Sequence, residues 1–401
     1  MGESIGRAFT IFQVFVMRVL NIGSDRTLVG GKGLGDAVAR HREYGSYLDS
    51  LDIIVYTNKA EQLEKYKISD KVTGYPTNSK SKMTFFWDAF RIAEQVYHDG
   101  HKFDIIVAQD PFLPALLGLR LKKKFGVKLQ INFHGDFWAN YYWLQERWYN
   151  FLFLLISKYT VPRADAIRVM GSGQKEKLLR AGIPTEKVRV ISTPVDLERF
   201  ENFQANSEQK QLFNHLRPGI GGHKMILMVG RRDEAKGVGT LIAAVNLVHK
   251  ENPEAGLWLV GGGYSAEEVR KLGLSDEVRL IMTGSAGVDA VDLPIYYDLA
   301  YMVVLPSTSE SFGKVLVEAN ACGKPVVATA TTGAKEIVDD GVNGFLVPIG
   351  DSQALAEKTL LLLRNPELAQ RMGDNGRRIV REKFGDNTAK IIGLWKELAQ
   401  K

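Results

Sequence analysis

The stretch RVLNIGSDRTLVGGKGLGDAVARHREYGSYLDSLDIIVYT (18–57) reads as strand, glycine-rich turn, helix and second strand. RVLNIG (18–23) is an apolar run closed by glycine, VGGKGLG (29–35) is the turn, DAVARHREYG (36–45) has a helical pattern, and LDIIVYT (51–57) is rich in β-branched residues. Two strands joined through a helix argue for a parallel sheet. The unit then recurs. Strands at FDIIVAQD (103–110), KLQINFHG (128–135), DAIRVMG (165–171) and KVRVIST (187–193) alternate with helices such as TFFWDAFRIAEQVYHDG (84–100) and PALLGLRLKKKFG (114–126). A polar stretch, ENFQANSEQKQ (201–211), precedes a second series of strands: KMILMVG (224–230), GLWLVGGG (256–263), EVRLIMTG (277–284), AYMVVLPS (300–307), KPVVAT (324–329) and GFLVP (344–348). KGVGTLIAAVNLVHKENP (236–253) reads as a helix between the first two of these.

Two open, helix-covered parallel sheets are therefore expected. The domains run 1–200 and 201–384, and the last helix (387–401), within a segment 385–401, packs back on the first domain. A chain of 401 residues suffices for two ordinary cores, and its 45% apolar and 24% charged content is that of a globular protein. The net charge of +6, spread along the chain, is too weak to point to nucleic acid but suits an anionic substrate or membrane surface. Cys322 is the single cysteine, so an intrachain disulfide and a multi-cysteine metal site are excluded. No run of 18 apolar residues reads as a membrane span. Residues 1–16 read as an extension ahead of the first strand. A cytoplasmic protein is expected, with a peripheral place at the inner membrane surface as an option.

Ligands of open α/β sheets sit at the carboxyl ends of strands, and a cleft between two such domains is the default site. Four polar clusters follow predicted strands. In LPSTSESFGKVLVEANACG (305–323), Gly313 marks a helix start, Glu310 lies in the turn and Glu318 on the helix. The free N–H groups from Phe312 to Val315, through Gly313 and Lys314, form an anion site assisted by the helix dipole. An acid at a helix start also occurs without any ligand. In MVGRRDEAKGVGTLI (228–242), Arg231 and Lys236 stand where a diphosphate would want cations, or are a solvated basic loop. VGGKGLG lacks both the dinucleotide and the Walker patterns. INFHGDFW (131–138) puts His134 at a strand end, where a structural histidine is the commoner case. No ligand set has zinc spacing.

Together, GRRDEAKG, GGG, LPIYYDLAYMVVLPS and ESFGKVLVEANACGKPVVAT resemble the donor domain of retaining glycosyltransferases of family 4, with ExFGxxxxE as the most specific motif. VISTPVDLERF (190–200) resembles the segment leading into that domain, and GGKGLGDAVARH and NFHGDFW more loosely resemble acceptor-domain motifs. The resemblance implies an α/β chain of the GT-B fold, two Rossmann-like doubly wound domains facing across a cleft. It implies a nucleotide diphosphate sugar (UDP- or GDP-sugar) as donor, and a glycan, glycolipid or lipid-linked acceptor. Glu318 would hold the ribose, Glu310 the sugar, and Arg231 with Lys236 the diphosphate. Gly33 would let the first-domain loop approach closely, and His134 would lie beside the sugar. Transfer would retain the anomeric configuration, with no organic cofactor and no metal. Tyr264 departs from the small residue or proline found at that place in similar chains.

The aromatic segment FWANYYWLQERWYNFLFLLISKY (137–159) reads either as a membrane-interface helix, near the basic LRLKKKFGVK (119–128), or as a buried helix lining the acceptor domain. Rival functions are a sugar-nucleotide epimerase of the same fold and a non-catalytic nucleotide-sugar binding protein. A dinucleotide-dependent oxidoreductase fits least, because its fingerprint is missing.

Overall fold

The computed structural model describes residues 17–31, 36–216, 223–283 and 288–400. The extension 1–16 and Gly33 lie outside the described residues. Strands β1 (Arg18–Gly23), β2 (Ser50–Val55), β3 (Tyr66–Ser69), β4 (Val72–Pro76), β5 (Ile105–Ala108), β6 (Lys128–Phe133), β7 (Ala166–Val169) and β8 (Val188–Val190) form one sheet in the order β3-β4-β2-β1-β5-β6-β7-β8. Strands β9 (Lys224–Val229), β10 (Ala255–Val260), β11 (Arg279–Met282), β12 (Met302–Leu305), β13 (Val326–Thr329) and β14 (Gly344–Val347) form the other, ordered β11-β10-β9-β12-β13-β14. All pairings are parallel except β3 with β4.

These strands are short apolar runs because both sheet faces are covered; β5, β7, β12 and β13 are buried at every position. One face of the first sheet, with Leu20, Ile106 and Leu129, packs under helices Phe85–His98 and Leu113–Phe125. The other, with Val19, Ile53 and Val107, is covered by Ile391, Trp395 and Leu398 of the C-terminal helix Asn387–Ala399. The chain thus returns to its first sheet after completing the second. Each such buried side chain contributes about 1.5–3 kcal/mol.

Three local features add to the sequence reading. The hairpin β3–β4 was not expected, because YKIS and VTGYP carry polar residues, a glycine and a proline rather than an apolar run. The polar stretch 201–211 takes in the end of the helix Leu197–Glu201 and the start of Ser207–Leu216. Segment 137–159 is two helices, Tyr141–Glu146 and Asn150–Thr160, broken where Arg147 is extended.

In each sheet the chain works outward on one side of the first strand and then crosses to the other. The reversal falls between β1 and β5 in the first sheet and between β9 and β12 in the second. Loops leaving two strands at such a point diverge and open a crevice at their carboxyl ends.

Candidate functional site

At the second reversal, β9 runs into Gly230 and Arg231, and a short 3-10 turn, Glu234–Lys236, precedes the helix Val238–Glu251. Asp233 caps the turn by accepting from the Ala235 N–H. Gly237 closes it in the left-handed region, with φ 65°. The neighbouring loop after β12 is stitched to this turn: the Thr308 N–H donates to the Ala235 carbonyl at 2.8 Å. A Cβ on Gly237 would stand 2.0 Å from the Pro306 carbonyl oxygen. Gly237→Ala should therefore force the two loops apart, at a cost of at least ~2 kcal/mol from clash and left-handed strain. A lower urea midpoint together with weakened nucleotide binding is the expected result.

The stitched loops bring Lys236 Nζ to 2.6 Å from Glu310 Oε2, both side chains mostly buried. Glu310 is held from its other side by the loop after β13, where the Gly333 N–H donates to the Glu310 carbonyl at 2.8 Å. Phe312 is buried and meets Phe384 edge-on, so only its backbone faces the site. Gly313, at φ 82°, turns the chain into the helix Lys314–Ala321. That helix has free N–H groups in its first turn, as every helix does.

Glu318 lies one turn further in and is buried, only 3% exposed. Its Oε2 accepts from the Tyr297 hydroxyl at 2.6 Å, and its Oε1 lies 3.3 Å from Lys314 Nζ. Burial raises its pKa; Lys314 and Tyr297 oppose that. Arg231 stands apart. Its side chain is exposed and pairs with no carboxylate among the described residues. Its backbone is fixed, because the buried Tyr264 donates its hydroxyl to the Arg231 carbonyl at 3.2 Å. The tyrosine that departs from the pattern thus braces the cationic loop.

Across the cleft, beside the first reversal, His134 follows β6 and lines a cavity at the cleft floor. Its Nε2 donates to Gln109 Oε1 at 2.7 Å. Gln109 donates to Asn21 at 2.7 Å, Asn21 to His41 Nε2 at 3.0 Å, and His41 Nδ1 to the Ala37 carbonyl at 2.7 Å. This relay gives each histidine one defined tautomer. Burial, then the charges of Arg168 and Arg40 and the His41 ring, hold the His134 imidazole below its ordinary range, so it is neutral near pH 7. The relay lines a cavity of about 370 Å³ that also exposes Asp110 and Arg168.

Burial pushes the Asp110 pKa up to about 6. A carboxyl whose pKa is raised on folding imposes no penalty below its unfolded pKa of 3.8, and its contribution is lost as pH rises through 6. The shift corresponds to ~3 kcal/mol at most, and Asp110's partial exposure to the cavity reduces this to about 1–2 kcal/mol. Asp110→Asn keeps an oxygen for the Phe112 N–H. It should raise thermal stability at pH 8 and leave it unchanged near pH 3.5.

The two reversals face each other. Ser311 donates to the His134 carbonyl at 2.6 Å, Asn140 Nδ2 to Ser309 at 3.2 Å, and Lys314 Nζ pairs with Asp36 at 2.7 Å. Burial would raise the Asp36 pKa, but Arg40 and Lys314 outweigh it and hold the carboxyl down at about 2. Asp136 of the HGD sequence bonds Lys177 at 2.6 Å and Thr332 at 3.2 Å. A cavity of about 300 Å³ between the domains is lined by Asp136, Asn140, Tyr141, Glu310 and Thr332 among others. The structure thus brings together His134, Lys236, Glu310, Gly313, Lys314 and Glu318, with Val315 in the same helix start.

Asp36, Gln109, Asp136 and Tyr297 were missed. Asp36 and Asp136 stood inside quoted motifs, and their acidity beside a glycine turn was the available signal; Gln109 and Tyr297 had none. Among the described residues, no three His, Cys, Asp or Glu side chains converge as a metal site.

Two parallel-sheet domains with their strand ends turned toward a shared cleft, one end carrying Lys236 paired with Glu310, define a two-domain α/β protein. Residues 213–379 match the model of glycosyl transferases group 1, and residues 43–199 that of glycosyltransferase family 4. The chain belongs to this family and has the GT-B fold. It is similar to the capsular polysaccharide biosynthesis glycosyltransferase CapM of Staphylococcus aureus, at 28% identity over 62% of this chain and 64% of that one. Such matches span about three fifths of the length of the curated relatives. Sucrose-phosphate synthase of Thermosynechococcus elongatus superposes with a TM-score of 0.77 at 25% identity, covering 95% of this chain and 99% of that one. Anabaena HepE, solved with UDP and glucose, superposes with a TM-score of 0.75 at 22% identity over 95% and 100% of the two chains.

Proposed function

We propose that the protein transfers a glycosyl group from a nucleotide diphosphate sugar, a UDP- or GDP-sugar, to a hydroxyl acceptor with retention of anomeric configuration. The observation that carries this reading is the Lys236–Glu310 pair, set beside a helix start and opposite His134. In it, Lys236 and Arg231 neutralise the donor diphosphate and stabilise it as leaving group, with the Phe312–Val315 backbone assisting. Glu310 accepts from sugar hydroxyls. Glu318 offers Oε1 to the ribose while Tyr297 fixes its other oxygen. His134 places its carbonyl and neutral ring beside the sugar. HepE, a fold relative solved with UDP and glucose, supports a nucleotide-sugar donor.

The bond from the anomeric carbon to the diphosphate oxygen breaks as the acceptor oxygen bonds to the same face. The acceptor proton passes to a donor phosphate oxygen. Nearby carboxylates are engaged rather than poised as nucleophiles: Asp136 with Lys177 and Thr332, Asp36 with Arg40 and Lys314. The two cations supply the charge that a metal would otherwise provide.

The test is proton NMR of reactions containing nucleotide sugar with and without acceptor. Retained anomeric configuration in an acceptor-dependent product supports the reading. An isomerised nucleotide sugar formed without acceptor would show an epimerase, and an unchanged donor with every acceptor a binding protein.

A further inference from the structure

The helix Asn150–Thr160 packs Phe153 and Leu154 inward yet carries apolar side chains on its outer face as well. Its fully buried residues are polar: Asn150, Ser157 and Thr160. Each is satisfied inward, Asn150 by the Trp143 carbonyl at 2.7 Å, Ser157 by Trp138 Nε1 at 2.8 Å, and Thr160 by the Pro111 carbonyl at 2.6 Å. Its outward stripe is apolar. Phe151, Leu152, Leu155 and Tyr159 share one face, each about half exposed, and Trp148 just before the helix is 82% exposed. A surface helix facing only water presents polar residues on its outer face. A contiguous face of this kind marks an interaction site.

Cations frame the stripe. Arg147 lies at one end, Lys158 within it, and Arg163 at the other, its guanidinium 4.0 Å from the Tyr159 ring centre. Lys122 reaches the Arg163 carbonyl at 3.2 Å, so the basic turn ending helix Leu113–Phe125 adjoins this edge. Between residues 137 and 163 the one acidic side chain is Glu146. A second copy docked about a two-fold axis would set these cations against their own counterparts, whereas an anionic surface complements them. Large aromatics beside cations also suit the boundary between headgroups and acyl chains. The patch runs into the cleft, since Tyr141 and Tyr142 of the preceding helix are exposed and line the cavity containing Glu310.

We propose that this face docks on an anionic lipid bilayer, so that the cleft receives an acceptor hydroxyl carried by a lipid. The acceptor part rests on the transferase reading; the docking part does not. Co-sedimentation of the full chain with phosphatidylcholine vesicles, with and without phosphatidylglycerol, tests the docking without reading transfer. Binding to the anionic vesicles, weakened by salt, is the expected result. Trp148→Ser with Leu155→Ser should reduce it at least ~tenfold. Lys158→Gln and Arg163→Gln should each reduce it roughly fivefold. Because these side chains point outward, melting temperature and nucleotide binding should stay unchanged. Absent vesicle binding, or binding indifferent to all four substitutions, overturns the proposal. So does a dimer, seen by light scattering, that the same substitutions dissolve.

Discussion

Lys236→Ala is expected to lower turnover of donor sugar by roughly 10²–10³-fold, equivalent to about 3–4 kcal/mol of lost transition-state stabilisation. The ammonium is positioned by backbone rather than by its own flexibility: Asp233 and Gly237 shape its turn, and Thr308 binds that turn to the Glu310 loop. Negative charge accumulates on the leaving diphosphate as the glycosidic bond breaks, so the loss falls on turnover more than on apparent donor affinity. Arg231→Ala should act in the same direction with a smaller effect, because its side chain is exposed and pairs with no carboxylate among the described residues. Steady-state kinetics with both variants measures this. Unchanged turnover in Lys236→Ala would remove the lysine from the reaction.

Glu318→Ala should be the more damaging substitution for stability. It leaves the fully buried Tyr297 hydroxyl without its acceptor and Lys314 without one of its two anions. A loss of about 2–4 kcal/mol is expected, with nucleotide affinity falling alongside. Tyr297→Phe provides the control. If the two groups stabilise each other, the double variant is less destabilised than the sum of the single ones, by roughly 1–2 kcal/mol. Glu310→Ala, in contrast, should mainly lower turnover. Equal, mild effects from both glutamates would contradict the division of roles between them.

Much of the fold was legible because its strands are buried on both faces. RVLNIG, KMILMVG and AYMVVLPS announce themselves as apolar runs, and glycines or helical patterns follow them. The β3–β4 hairpin lies at a sheet edge, where half-exposed strands tolerate polar residues and carry no such signal. The candidate site was legible where it is local. Glu310, Gly313 and Glu318 share one strand–turn–helix passage, and Arg231 and Lys236 share another. Their partners were not. Asp36 meets Lys314, and His134 meets Ser311, only after the chain has folded into two facing domains, and no spacing along the sequence encodes such a meeting. The aromatic segment is instructive in another way. Its composition fitted either a buried or an interfacial helix, and the folded helix has apolar side chains on both faces: Phe153 and Leu154 pack inward, while Phe151, Leu152 and Leu155 point outward.

Calorimetric titration of the free protein with nucleoside diphosphates and the corresponding monophosphates is the most direct test of the donor site. One saturable site per chain is expected, binding the preferred diphosphate at least ~tenfold more tightly than its monophosphate, with the difference abolished in the Arg231→Ala, Lys236→Ala double variant. Equal affinity for the two phosphate forms, or a diphosphate preference that survives removal of both cations, would contradict a diphosphate held between β9 and β12.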